Sequence, residues 1–120
     1  MEVFSRNETK IFIKGIDKKK TSQLIKLSRG DMRLVIEIIT GHSRLNRHLT
    51  VMGAMNDPKC PECMESEETS LHLLAECPMY SLIRWNILGS DTLDTEELRN
   101  LKVGRIASFC KETQRFVGAP

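Results

Sequence analysis

"CPECMESEETSLHLLAEC", residues Cys60 to Cys77, gathers three of the chain's four cysteines and one of its three histidines into one short segment. The spacing is Cys60-x2-Cys63-x8-His72-x4-Cys77. A two-residue gap lets both sulfurs of one turn converge on a common point, and Pro61 stiffens that turn. His72 falls on a helical stretch and Cys77 just past it, released by Pro78, so an imidazole and a third thiolate arrive from a second element. This is zinc-ligand spacing, with Zn–S of ~2.3 Å and Zn–N of ~2.0 Å. Thiolate and neutral imidazole suit borderline-soft zinc better than magnesium or calcium. A thioredoxin-like redox pair would need a buried strand of a βαβ unit before Cys60, and none precedes it. Four protein ligands leave no position for an activated water, so the expected site is structural rather than catalytic. His42 and His48 lie outside the spacing and read as capping or surface residues. Cys110 shares an apolar face with Ile106 and Phe109 and reads as a buried thiol.

Outward from this segment the pattern is helical. Thr21 can cap a short turn through Leu27, and Ser28 with Asp31 three residues later makes a capping-box-like start. Met32, Val35, Ile36 and Ile39 form an apolar stripe widened by Leu34 and Ile38, and Gly41 is a natural C-cap. "SRLNRHLTVMG" predicts a second helix from Ser43, antiparallel to the first, with Leu45, Leu49 and Met52 on one side. Ser66 followed by Glu67 and Glu68 predicts a third helix start with a compensated dipole, and "PMYSLIRWNIL" a fourth helix. A last helix is expected between Glu96 and Phe116, weakened by Gly104. The expected fold is mainly α, a small helical module stapled by one structural zinc site. Its boundaries are an irregular lead-in or linker over 1–20, in which "KIFIKGI" alternates like a short strand, and a helical zinc-binding domain over 21–118.

The 120 residues suffice for one small domain with a modest core. The opening "MEVFSRNETK" has no apolar run behind its charges, and the most apolar segment, "LVIEII", is short and carries Glu37. An intracellular protein, nuclear or cytoplasmic, is expected, with no membrane partner and no small-molecule substrate. In a reducing compartment paired cysteines are more often metal ligands or redox centres than structural disulfides. The net charge of +2 hides an asymmetry: residues 1–50 carry eleven Lys/Arg against five Asp/Glu, residues 51–120 seven against eleven. The first part can therefore face an anionic partner. The candidate contacts are Arg29 and Arg33, four apart on one helix, and Arg44, Arg47 and His48 at the start of the next.

Two other function classes are open. A hydrolase would need converging carboxylates, whereas Glu65, Glu67 and Glu68 read as one solvated acidic run. A protein-interaction module would present Met64, Tyr80 and Trp85, although aromatic residues at helical spacing are usually core.

The order "LSRGDMRLVIEIITGHSRLNRHLTVMG", "DPKCPECMESEETSLHLLAECP", "LIRWNILGS" resembles the C-terminal tail of the second-frame polyprotein of Jockey-type non-LTR retrotransposons, over about Lys10 to Phe116. A threonine-glycine-histidine signature matches Thr40, Gly41 and His42, and the family's zinc motif matches Cys60, Cys63, His72 and Cys77. In that family the tail follows an endonuclease, a reverse transcriptase and often a ribonuclease H domain, and ends in a zinc motif thought to hold nucleic acid. The resemblance thus implies zinc as cofactor, RNA or DNA as partner, and possible contacts with the parent polyprotein's own domains. The parent would be an RNA-directed DNA polymerase. This chain has no Tyr-x-Asp-Asp signature and no acidic quartet on strands, which implies a non-enzymatic fragment. Glu37, where relatives tend to carry a small residue, and Gly30, in a first helical turn, depart from the pattern.

Overall fold

The computed structural model describes residues 18–41 and 44–116. The lead-in over 1–17, with its strand-like alternation, and His42 and Ser43 lie outside the described residues. Within them the protein is helical, as the sequence predicts: α1 (Lys18–Ile25), α2 (Arg29–Thr40), α3 (Asn46–Val51), a π turn (His72–Glu76), a 3-10 turn (Pro78–Tyr80), α4 (Ser81–Leu88), α5 (Thr95–Arg99) and α6 (Val103–Glu112). An isolated antiparallel bridge pairs Lys59 with Glu67.

The start and stop signals of α2 work as expected. Ser28 Oγ accepts a 3.1 Å hydrogen bond from the Asp31 amide, and Gly41 ends the helix at φ 79°, a left-handed conformation in which glycine avoids a Cβ penalty. Its buried edge is Val35, Ile38 and Ile39. Ile36 is 45% exposed, so the apolar stripe sits one residue away from the Met32–Ile36 line. The cause is the partner: α6 packs against α2 and takes the Val35/Ile38 side, and Lys111 on α6 reaches Asp31 at 3.1 Å.

Helix α6 is the centre of the fold. Val103, Ile106, Ala107, Phe109 and Cys110 are all buried, and α1, α2 and α4 pack around them. Phe109 meets Tyr80 edge-to-face at 6.5 Å and lies under the Arg84 guanidinium at 5.7 Å. The first amides of α6 have no local side-chain cap, and Gln23 Oε1 on α1 accepts from Val103 N instead. Lys20 Nζ donates to the Leu101 carbonyl.

Four boundaries differ from the sequence reading. Helix α1 begins at Lys18, so the three lysines assigned to the lead-in occupy a first helical turn. Helix α3 begins at Asn46 with Leu45 as its N-cap, and Met52 lies exposed beyond it. Among the described residues α3 is not one of the main packing partners of α2, so the expected antiparallel pairing is not a major contact. Glu67 and Glu68 precede the third helical segment rather than opening it, because Glu67 is held in the bridge to Lys59 and the turn starts at Ser70. The last helix is two: α5 has a full capping box between Asp94 and Glu97, and the chain breaks at Asn100 before α6. No described helix is long and apolar enough to cross a membrane.

Candidate metal centre

Two arms carry the four ligands. The first is a knuckle on a short antiparallel ladder, in which Cys60 N donates to Ser66 O and Glu68 N to Pro58 O, both at 2.8 Å. Asp57 Oδ1 accepts from Lys59 N at 3.0 Å and starts the first rung. The tip closes through Met64 N to Cys60 O at 2.9 Å, with Met64 at φ 60°. A left-handed conformation costs a non-glycine residue ~1–2 kcal/mol. It is held here by the hydrogen bonds that fix both ends of the turn, Cys60 N to Ser66 O and Met64 N to Cys60 O.

The second arm is the π turn. Thr69 starts it, its Oγ1 accepting from His72 N at 3.1 Å and its carbonyl from Leu73 N at 3.0 Å. In an α-helix, residues five apart lie about 140° apart around the axis and would aim away from each other. Here Cys77 N instead donates to His72 O at 2.8 Å, an i to i+5 closure that winds Cys77 back over His72. The x4 gap between the last two ligands is served by this wider turn.

The ligand atoms of Cys60, Cys63, His72 and Cys77 lie within 4.8 Å of one another. Cys60 Sγ stands 3.9 Å from Cys77 Sγ, and Cys63 Sγ stands 3.4 Å from His72 Nε2. A tetrahedron with metal–sulfur and metal–nitrogen distances typical of zinc has S···S edges of about 3.8 Å and S···N edges of about 3.6 Å. The residues therefore fit one metal ion. The sulfurs are too far apart for a disulfide, and all four cysteines are free thiols. Cys60, Cys77 and His72 are buried and Cys63 is partly so.

The electrostatics suit ligation. Burial, opposed by Glu76 and Glu68, lowers the His72 pKa, so the ring is neutral at neutral pH and its Nε2 is available. Its Nδ1 lies 4.0 Å from Glu76 Oε1, outside hydrogen-bond range. Burial disfavours the Cys63 thiolate, but hydrogen bonds from the backbone at Glu65 and Ser66, with Cys60 and Cys77, outweigh it and lower its pKa. Burial pushes the Cys77 thiol up to about 12.

Arg84 is the residue that sequence reasoning missed. It is fully buried on α4 and donates to four carbonyls: Leu73 O and Leu74 O at 2.9 Å, Cys77 O at 3.0 Å and Asp91 O at 2.7 Å. The need arises in the π turn. An i to i+5 continuation would give Leu73 O the amide of residue 78, but Pro78 has none. Arg84 supplies the missing donors, Leu93 N closes Ala75 O at 3.2 Å, and the segment carrying His72 and Cys77 is held from behind. Burial lowers the Arg84 pKa, opposed by Cys77, Asp91 and Glu76. The guanidinium remains a cation.

The other candidates separate. Arg29 and Arg33 are exposed on α2. Arg47 pairs with Glu67 at 3.2 Å, while Arg44 and His48 are half-buried, and the Arg44 carbonyl accepts from Arg115. The five are therefore not one open basic surface. Glu65 and Glu67 are exposed, but Glu68 is fully buried against Arg115, which breaks the solvated acidic run. Of the residues considered for protein contact, Tyr80 is core, whereas Met64 and Trp85 are exposed. Cys110 is buried as expected, and burial pushes its thiol up to about 12. In comparisons with known proteins, no family model, no curated protein and no solved structure matches the chain.

Proposed function

We propose that the chain is a non-catalytic, zinc-stabilised module that binds nucleic acid, derived from the C-terminal tail of a Jockey-type non-LTR retrotransposon polyprotein. The observation that supports the reading is the Cys60–Cys63–His72–Cys77 cluster, which offers one metal ion four protein ligands; a four-coordinate zinc held by all four would have no open position. Three thiolates and a neutral imidazole favour zinc over hard cations. Bound there, zinc would supply a cross-link between the knuckle and the π turn. The retrotransposon origin rests on the resemblance in motif order.

The nucleic-acid reading is supported by α1 and α2. Lys18, Lys19, Lys26, Arg29 and Arg33 are all exposed there, and Asp31, the lone acid between residues 18 and 33, is engaged by Lys111. This reading keeps Arg29 and Arg33 of the five contacts expected from the sequence and takes Lys18, Lys19 and Lys26 in place of Arg44, Arg47 and His48. If each of the five neutralises one phosphate of a single strand, log K falls against log salt with a slope of ~−3.5. The test is a salt series with a labelled single strand, for the parent and for a variant with all five cations changed to Gln. The slope should flatten in the variant while zinc content stays at one. Equal slopes would contradict the assignment.

A second reading, a protein-interaction module, is favoured by one feature: Leu82 and Trp85, three apart on α4, are 71% and 59% exposed, with Met79 exposed beside them. A zinc-loaded parent that fails to bind RNA or DNA at low salt would support it.

A further inference from the structure

Behind the knuckle lies a second cluster, of polar and charged side chains. Glu68 is fully buried and belongs to the returning rung of the ladder, four residues before His72. Arg115, past the end of α6, grips it with two donors: Nε to Oε2 at 2.6 Å and a terminal nitrogen to Oε1 at 2.7 Å. The same terminal nitrogen reaches Asn46 Oδ1 at 3.1 Å and Arg44 O at 3.3 Å. Asn46 completes the clamp, its amide N donating to Glu68 Oε1 and its Nδ2 to Lys59 O, both at 2.7 Å. The outgoing and returning rungs of the metal knuckle are thus both tied, through Asn46 and Glu68, to one guanidinium. Gln114, at φ 59°, turns the chain so that Arg115 can enter.

We infer that Arg115 is a latch through which the segment after α6 and the metal knuckle hold each other in place, so that docking of this segment slows metal release and metal loading protects this segment. The reasoning is linkage. A buried carboxylate with a planar two-point partner is stable only in the docked arrangement, because undocking leaves Glu68 desolvated without its cation. The Glu68 backbone is also hydrogen-bonded to Pro58 O, so a shift at Glu68 moves the rung that presents Cys60. Whatever the knuckle gains from a docked Arg115, a docked Arg115 gains from an ordered knuckle. The inference rests on the metal reading of the Cys3His cluster.

The experiment uses the full chain loaded with zinc. Glu68→Gln, Arg115→Gln and Arg115→Lys are compared with the parent and with Ile38→Val, a core change on α2 that removes none of the clamp's hydrogen bonds. One readout is the rate of zinc transfer to a chromophoric chelator; the other is trypsin cleavage after Arg115. Each variant should hold one zinc. Glu68→Gln and Arg115→Gln should release it ~5–150-fold faster, the range of coupling between two linked sites. Lysine should not restore the parent rate, because it lacks the two-point fork, and Ile38→Val should release at the parent rate. In Glu68→Gln the bond after Arg115 should be cut while zinc is still bound, whereas the parent resists. Parent-like release from both Gln variants, or equal acceleration by Ile38→Val, would overturn the latch. A parent that holds no zinc would overturn the metal reading, and the latch with it.

Discussion

Replacing Arg84 by methionine keeps most of the buried volume and removes every donor. Leu73 O and Leu74 O then lose the partner that compensates for Pro78, in a region closed to water. An unsatisfied buried carbonyl costs ~1–3 kcal/mol, and loss of the cation over the Phe109 ring adds ~0.5–2 kcal/mol. Relief of the buried charge's own desolvation offsets part of this, which leaves a loss of about 3–5 kcal/mol. Small domains have only ~5–15 kcal/mol in total, so the variant should stand near its threshold of folding. The assay is urea unfolding followed by circular dichroism at a buffered free-zinc concentration, since binding itself contributes to apparent stability. Arg84→Lys should fall between parent and methionine variant, because one ammonium cannot reach all four carbonyls. A loss below about 1 kcal/mol for Arg84→Met would refute the role given to the guanidinium.

Three further outcomes follow from the same geometry. Met64 is exposed and left-handed, so Met64→Gly should leave thermal stability unchanged or raised, whereas β-branched Met64→Val should lower it by ~1–2 kcal/mol; a melting-curve order of Val above Gly would contradict this. The Cys110 thiol has its pKa raised from 9.0 to about 12 on folding, so the unfolded chain holds fewer protons between those values. The stability this thiol contributes is complete below pH 9 and is lost as pH climbs toward 12. Cys110→Ala should accordingly flatten the alkaline fall of the urea midpoint, and an unaltered fall would contradict the assignment. Cys110→Ser should leave the metal content at one per chain, measured by elemental analysis; loss of the metal would mean that the ligand set is wrong.

What the sequence made legible was what local chemistry decides. The cap at Ser28 and the stop at Gly41 depend on residues within a few positions of one another, the ligand quartet lies within one short segment from Cys60 to Cys77, and each is found where the pattern predicts it. What it hid depends on distant partners. Glu68 reads as part of a solvated run and Arg84 draws no reading at all, because charged side chains are almost never fully buried unless paired, and their partners lie several to many residues away. The π turn has no periodicity signal of its own; its one clue is the x4 gap from His72 to Cys77 followed by Pro78, which an α-helix cannot serve. The shift of the buried stripe toward Val35 and Ile38 is set by where α6 docks, which no window around α2 contains. Trp85 reads as core by residue type, yet α4 turns Arg84 inward and leaves its neighbour outside.

A tetrahedral metal centre at the Cys3His cluster is tested most directly by loading the full chain with cobalt(II) and recording its visible spectrum. Three thiolates and one imidazole converging as they do around His72 and Cys77 should give one cobalt per chain, intense tetrahedral ligand-field bands and thiolate charge-transfer absorption. Cys60→Ser, Cys63→Ser, His72→Ala and Cys77→Ser should each change that spectrum, and Cys110→Ser should not. A weak octahedral spectrum, or one indifferent to His72→Ala, would contradict the centre.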